Sequence, residues 1–92
     1  MSATDGVTLY RKTIVAANDW NGEPVILMAR QGTDRFYTII NEPWEHGEML
    51  IDFDRDRQAL IERAVAMANW HVSDIIARGV EIKRVMTVGF AP

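Results

Sequence analysis

The sequence contains no cysteine, so a disulfide framework, a thiolate zinc site and a cysteine nucleophile are all excluded. No run approaches the ~18 apolar residues of a membrane-spanning helix, and the start, MSATDGVTLYRK, lacks the basic stretch and apolar run of a leader. Serine occurs only as Ser2 and Ser73, neither in a GxSxG turn. The six glycines are scattered and form neither GxGxxG nor a phosphate-binding loop. Positive charge is in deficit as well, with 10 Lys plus Arg against 13 Asp plus Glu and a net charge of −3. No basic field is available to draw in nucleic acid or an anionic membrane. These absences leave a soluble protein, by default cytoplasmic, that contacts neither nucleic acid nor membrane directly.

What is present is an ordinary globular composition, 48% hydrophobic and 25% charged over 92 residues. That is enough for one domain over residues 1–92 and too little for two cores. Residues 1–6 are polar and aperiodic and read as flexible. Residues 7–17 alternate at the period of a strand, and Asn18-Asp19-Trp20-Asn21-Gly22 is rich in turn formers. Two further apolar runs, 25–29 and 36–40, flank a reversal at Gln31-Gly32-Thr33-Asp34, which predicts a three-stranded antiparallel meander. The segment 41–47, NEPWEHG, reads as a loop. Asp54 is the expected helix cap. After it Leu60, Ile61, Ala64, Val65, Ala68, Val72, Ile75 and Ile76 recur at helical spacing, and Gly79 ends the helix. Residues 80–90 alternate again, with Val80, Ile82, Met86, Val88 and Phe90 expected on one side of a fourth strand.

The expected fold is therefore α+β, a small two-layer sandwich in the order β-β-β-α-β, with the antiparallel meander packed on one long helix. The runs 25–29 and 36–40 are apolar at consecutive positions, the mark of strands buried on both faces. A single helix covers only one face, so the other is expected to support homodimerisation or partner binding, the alternative being that the N-terminal segment or the NEPWEHG loop folds over it.

Six of the thirteen acids crowd into one stretch: Glu42, Glu45, Glu48, Asp52, Asp54 and Asp56. Such density fits a protein partner with a basic surface, or mimicry of nucleic-acid phosphates. The bland alternative is a solvated loop followed by acids that favour the helix start. Trp20, Trp44 and Trp70 are candidate anchors, because tryptophan buries much area with few rotatable bonds, though large aromatics also cap the edges of small cores. Trp20, Glu42, Trp44, Glu45, Glu48, Asp52 and Trp70 form the candidate partner-binding set. Asp52-Phe53-Asp54-Arg55-Asp56 has the alternating acids of half a calcium loop, but Arg57 and Arg63 stand where glycine and the closing glutamate are required. His46 and His71 are isolated, so no metal, cofactor or catalytic residue is assigned.

The reading is a non-catalytic protein–protein interaction module acting through an acidic, tryptophan-containing surface. A small-ligand-binding homo-oligomer with its pocket between subunits and an undetected small enzyme are the alternatives. In size and topology the chain resembles small acidic phage and plasmid accessory proteins, including inhibitors of host defence, a likeness that transfers no residue role; an anti-defence or a nucleic-acid-mimicking inhibitor is the kind of role expected.

Overall fold

The computed structural model describes residues 7–16, 23–42 and 47–89. Their elements are β1 (Thr8–Ala16), β2 (Val25–Gln31), β3 (Phe36–Asn41), β4 (Met49–Asp54), α1 (Arg57–Ala77) and β5 (Ile82–Gly89). The five strands form one antiparallel sheet in the order β4-β3-β2-β1-β5, with α1 packed on one face. The meander and the long helix stand as expected from the sequence. At the β2–β3 turn the Gly32 N–H donates to the Arg35 carbonyl at 2.8 Å. Any side chain at Gly32 would run into that carbonyl and the Tyr37 ring.

Three sequence expectations need correction. The first is β4, which lies in the acidic stretch and was not anticipated. Ile51-Asp52-Phe53-Asp54 does alternate, but with its acids toward the helix and Phe53 toward solvent, the reverse of the usual polarity. The second is the cap, which is Asp56 rather than Asp54: its carboxylate accepts from the N–H groups of Gln58 and Ala59 at 3.1 and 3.4 Å. Asp54 instead accepts from the Asp56 N–H at 2.8 Å, holding the turn that delivers the chain to the cap. The third is the facing of β5. A register shift between Val15 and Ala16 puts Ile82 on the helix side, packed against the core, while Met86 and Val88 lie on the opposite face.

The helix buries Leu60, Ile61, Ala64, Ala68 and Ile75. It ends at Gly79, φ 83°, a left-handed conformation that glycine adopts without a Cβ penalty. There the Gly79 N–H donates to the Ile76 carbonyl at 2.9 Å and the Val80 N–H to that of Ile75 at 3.3 Å, so the last carbonyls are satisfied. Ile76, counted with the apolar stripe, is 59% exposed and sits on the helix flank.

Beneath the helix lie Ile14, Val25, Leu27 and Ile40, each at most 2% exposed. The buried Thr38, flanked in register by Ala29 and Asp52, has no hydrogen-bond partner for its hydroxyl among the described residues. On the open face Leu50, Ile39, Met28, Arg11 and Val88 line up across all five strands. Arg30 of β2 reaches over β3 to Glu48, at 3.1 Å, and Ile39 and Thr13 on this face are each 8% exposed. Among the described residues no helix is long and apolar enough to cross a membrane.

Two stability outcomes follow from these positions. Ile61→Ala removes a buried side chain and is expected to cost about 2–5 kcal/mol, whereas Ile76→Ala on the exposed flank should cost under ~1 kcal/mol in urea melts. Thr38→Val replaces an unpartnered hydroxyl with a methyl of similar shape and should leave stability unchanged or raise it by up to about 1–2 kcal/mol. A loss above ~1 kcal/mol would mean that this hydroxyl has a partner in solution.

Candidate functional site

Trp20, Trp44, Glu45 and His46 lie outside the described residues, whereas Glu42, Glu48, Asp52, Asp54, Asp56 and Trp70 lie within them. The described acids do not form one free surface. Glu48 is held by Arg30 in the strap across β3. Asp52 and Asp54 project from β4 toward α1, where Arg63 occupies the space between them. Arg63 donates from Nε and Nη2 to the two Asp52 oxygens at 2.9 and 3.2 Å, and from Nη1 to Asp54 at 2.8 Å. Asp56 is spent on the helix cap. The alternating acids that echo half a calcium loop thus enclose a guanidinium, whose fork matches two carboxylates in a way that a point charge does not.

This clamp has an electrostatic signature. The Asp54 carboxyl titrates below the usual carboxylate range, first because the Asp56 N–H donates to it and then because Arg63 does. Arg63 is pushed further above its ordinary range by hydrogen bonds to Asp52 and then Asp54. The role of the clamp is positional: it ties the β4 edge to the second turn of the helix, and exposed pairs of this kind add little net energy.

Glu42 is placed differently. It follows β3 at the end of the sheet where β2 begins, and the last turns of α1 pass above it. Val25, Glu42, Trp70, His71, Asp74, Ile75 and Arg78 line a cleft of ≈ 190 Å³ at that end. Trp70 is 60% exposed and meets His71 edge to face, with ring centroids 5.1 Å apart. Asp74 is paired with Arg78 at 3.0 Å, while Glu42 has no ion-pair partner among the described residues. The fold therefore joins two members of the candidate set, Glu42 and Trp70, and separates them from Glu48 and Asp52. His71, Asp74 and Arg78 were not among the partner-binding candidates. Their i, i+3, i+4, i+8 spacing from Trp70 and His71 is the signal that places them on one helix flank.

Chemically, the cleft offers the aromatic face of Trp70, the His71 ring, the Glu42 carboxylate with no ion-pair partner among the described residues, the Asp74–Arg78 pair and an apolar floor of Val25 and Ile75, so that one carboxylate is left in excess over Arg78. That combination suits a cationic side chain, which an aromatic ring and a carboxylate attract together. Comparison with protein-family models, with curated proteins and with solved structures gives no match. The chemistry of the cleft is accordingly the basis for a functional reading.

The clamp generates a pH dependence. Because the folded state lowers the Asp54 pKa from 3.8, its contribution is fully present above that value and is lost as pH falls through the lower folded value. Arg63 stays charged throughout. Asp54→Asn should therefore lose less stability than the wild type when the urea midpoint is followed from pH 5 to about 2. Parallel curves for the two proteins would show that Asp54 is not held in the folded state.

Proposed function

We propose that this chain is a non-catalytic protein-interaction module that takes an arginine or lysine side chain of a protein partner into the cleft between Glu42 and Trp70. The observation that carries this reading is the meeting of Glu42, from the end of β3, with Trp70 and Asp74, from the last turns of α1, around one opening. A cation over a tryptophan ring is worth about 0.5–2 kcal/mol, and an adjacent carboxylate selects the sign of charge. At ≈ 190 Å³ the cleft is smaller than the ~300–1,000 Å³ pockets that hold drug-sized ligands or cofactors. One side chain of a partner fits that scale better than a drug-sized ligand does, whereas a second and more open cavity of ≈ 460 Å³, lined by Arg35, Phe53, Asp54 and Arg55, is where a ligand-binding alternative would have room. The charge pairing moves weight away from mimicry of nucleic-acid phosphates, since Glu48, Asp52 and Asp54 are already matched to Arg30 and Arg63. A basic partner surface remains part of the proposal, whereas an unbroken acidic strip does not. An accessory or inhibitory role would be exercised through such a contact.

The test is a titration of the ¹⁵N-labelled protein with a hexa-arginine peptide. Saturable shifts are expected at the Trp70 indole N–H and at the Asp74 and Ile75 amides, weakening with added salt. Glu42→Lys should abolish them, and Trp70→Ala should weaken binding about 3- to 30-fold. Shifts confined to other residues, or unchanged by Glu42→Lys, would sink the proposal.

A further inference from the structure

The sheet has two edges, and the chain treats them differently. At β4 the exposed backbone is guarded in several ways. The strand is short, at six residues, a register shift interrupts its pairing opposite Thr38 and Ile39, and two inward acids are clamped by Arg63. Short strands, irregular register and inward charges are the devices that keep strand edges from pairing with other chains.

None of these devices protects the outer part of β5. This strand runs for eight residues, its register shift falls at its beginning beside Ala16, and from Arg84 to Gly89 it pairs regularly with β1. That stretch contains no acid and no proline. The helix lies over β1 to β4, so β5 extends past its cover. Val85 on the helix side is 40% exposed, and Met86 and Val88 on the open face are 41% and 38% exposed. On the helix side, the flank marked by the hydrogen bond from Lys12, the register neighbour of Thr87, to Asn69 carries Ile76 at 59% exposure. Among the described residues, β5 beyond Ile82 thus has no strand on its outer edge and carries half-exposed side chains on both faces.

We propose that β5 is the pairing edge of a homodimer, in which two copies join antiparallel, strand to strand, into one continuous sheet. The charge pattern selects this occupant and orientation. The only charges on β5, Lys83 and Arg84, sit near its start. A parallel pairing would stack them on their own copies. An antiparallel pairing about a two-fold axis at Met86 sends them to opposite ends, with Arg84 facing Val88 of the partner subunit and Val85 facing Thr87 of the partner subunit. Like charges then avoid one another, and the middle of the joint, Val85 to Thr87, carries no charge. The same two-fold brings the Ile76 flanks of both helices over the Val85 strip, so that the joint covers the side which α1 alone leaves open.

Because the chain has no cysteine, a single introduced cysteine takes a spin label at one position. Sedimentation equilibrium of the full chain at ~100 μM should show a dimer. Labels at Thr87→Cys should fall within about 20 Å of each other, whereas labels at Leu50→Cys on β4 should be ~40 Å apart, since nine strand spacings of ~4.8 Å separate the two outer edges. Met86→Lys places a charge opposite itself and should weaken dimerisation at least about tenfold, with its circular dichroism spectrum unchanged because Met86 is exposed. A monomer at that concentration would overturn the proposal. So would a dimer whose Leu50 labels approach within ~25 Å, the signature of two open faces stacked ~10 Å apart. A dimer unaffected by Met86→Lys would do the same. None of these measurements involves Glu42 or Trp70, so the cleft and the edge stand or fall separately.

Discussion

One helix cannot cover a sheet of this width, and most of the molecule's surface chemistry follows from that mismatch. Five strands at ~4.8 Å spacing make a sheet about 24 Å across, whereas a helix with its side chains is about 10–12 Å wide. The helix is placed over β1 to β4, where Leu60, Ala64 and Ala68 close onto Ile14, Leu27 and Ile40. What it does not reach must be handled otherwise. On the open face the Arg30–Glu48 pair bridges β2 and the start of β4, and on the β4 side Arg63 ties the edge strand to the helix. On the β5 side no such device exists among the described residues, and the apolar side chains there stay half exposed.

The acidic stretch illustrates how a surface feature changes meaning once it is folded. Along the chain Glu48, Asp52, Asp54 and Asp56 look like one negative run. In three dimensions they point in different directions and serve different partners: a strap over the sheet, a clamp on the helix and a cap for its first turn. Of the described acids in this stretch, Glu42 alone is neither ion-paired nor used as a cap among the described residues, and it lines a cleft with Trp70. Within this stretch the described negative charge left without an ion pair or a cap is local, and it lies beside an aromatic ring. Partly exposed tryptophan next to a carboxylate is the kind of contact that carries interface energy, whereas neutralised surface pairs contribute little.

Periodicity, turn residues and capping chemistry are properties of neighbouring positions, so the meander, the long helix and the Gly79 terminus were legible from the sequence alone. The same local rules gave the apolar character of the open face, because consecutive apolar residues in 25–29 and 36–40 cannot all point to one side. Three features were beyond them. The strand Met49–Asp54 was hidden because its acids face inward, which is tolerable only where Arg63 arrives from another element. The facing of β5 depended on a register shift opposite Ala16, which one strand's alternation cannot reveal. The pairing of Glu42 with Trp70 depended on where the helix ends above the sheet. Sequence by itself determined the meander, the long helix and its end at Gly79, because backbone conformation responds to spacing and turn chemistry along the chain. Tertiary structure alone decided which charges are neutralised and which remain free to bind, because an ion pair depends on distance in space, and residues far apart in the chain meet only after the sheet and helix have packed.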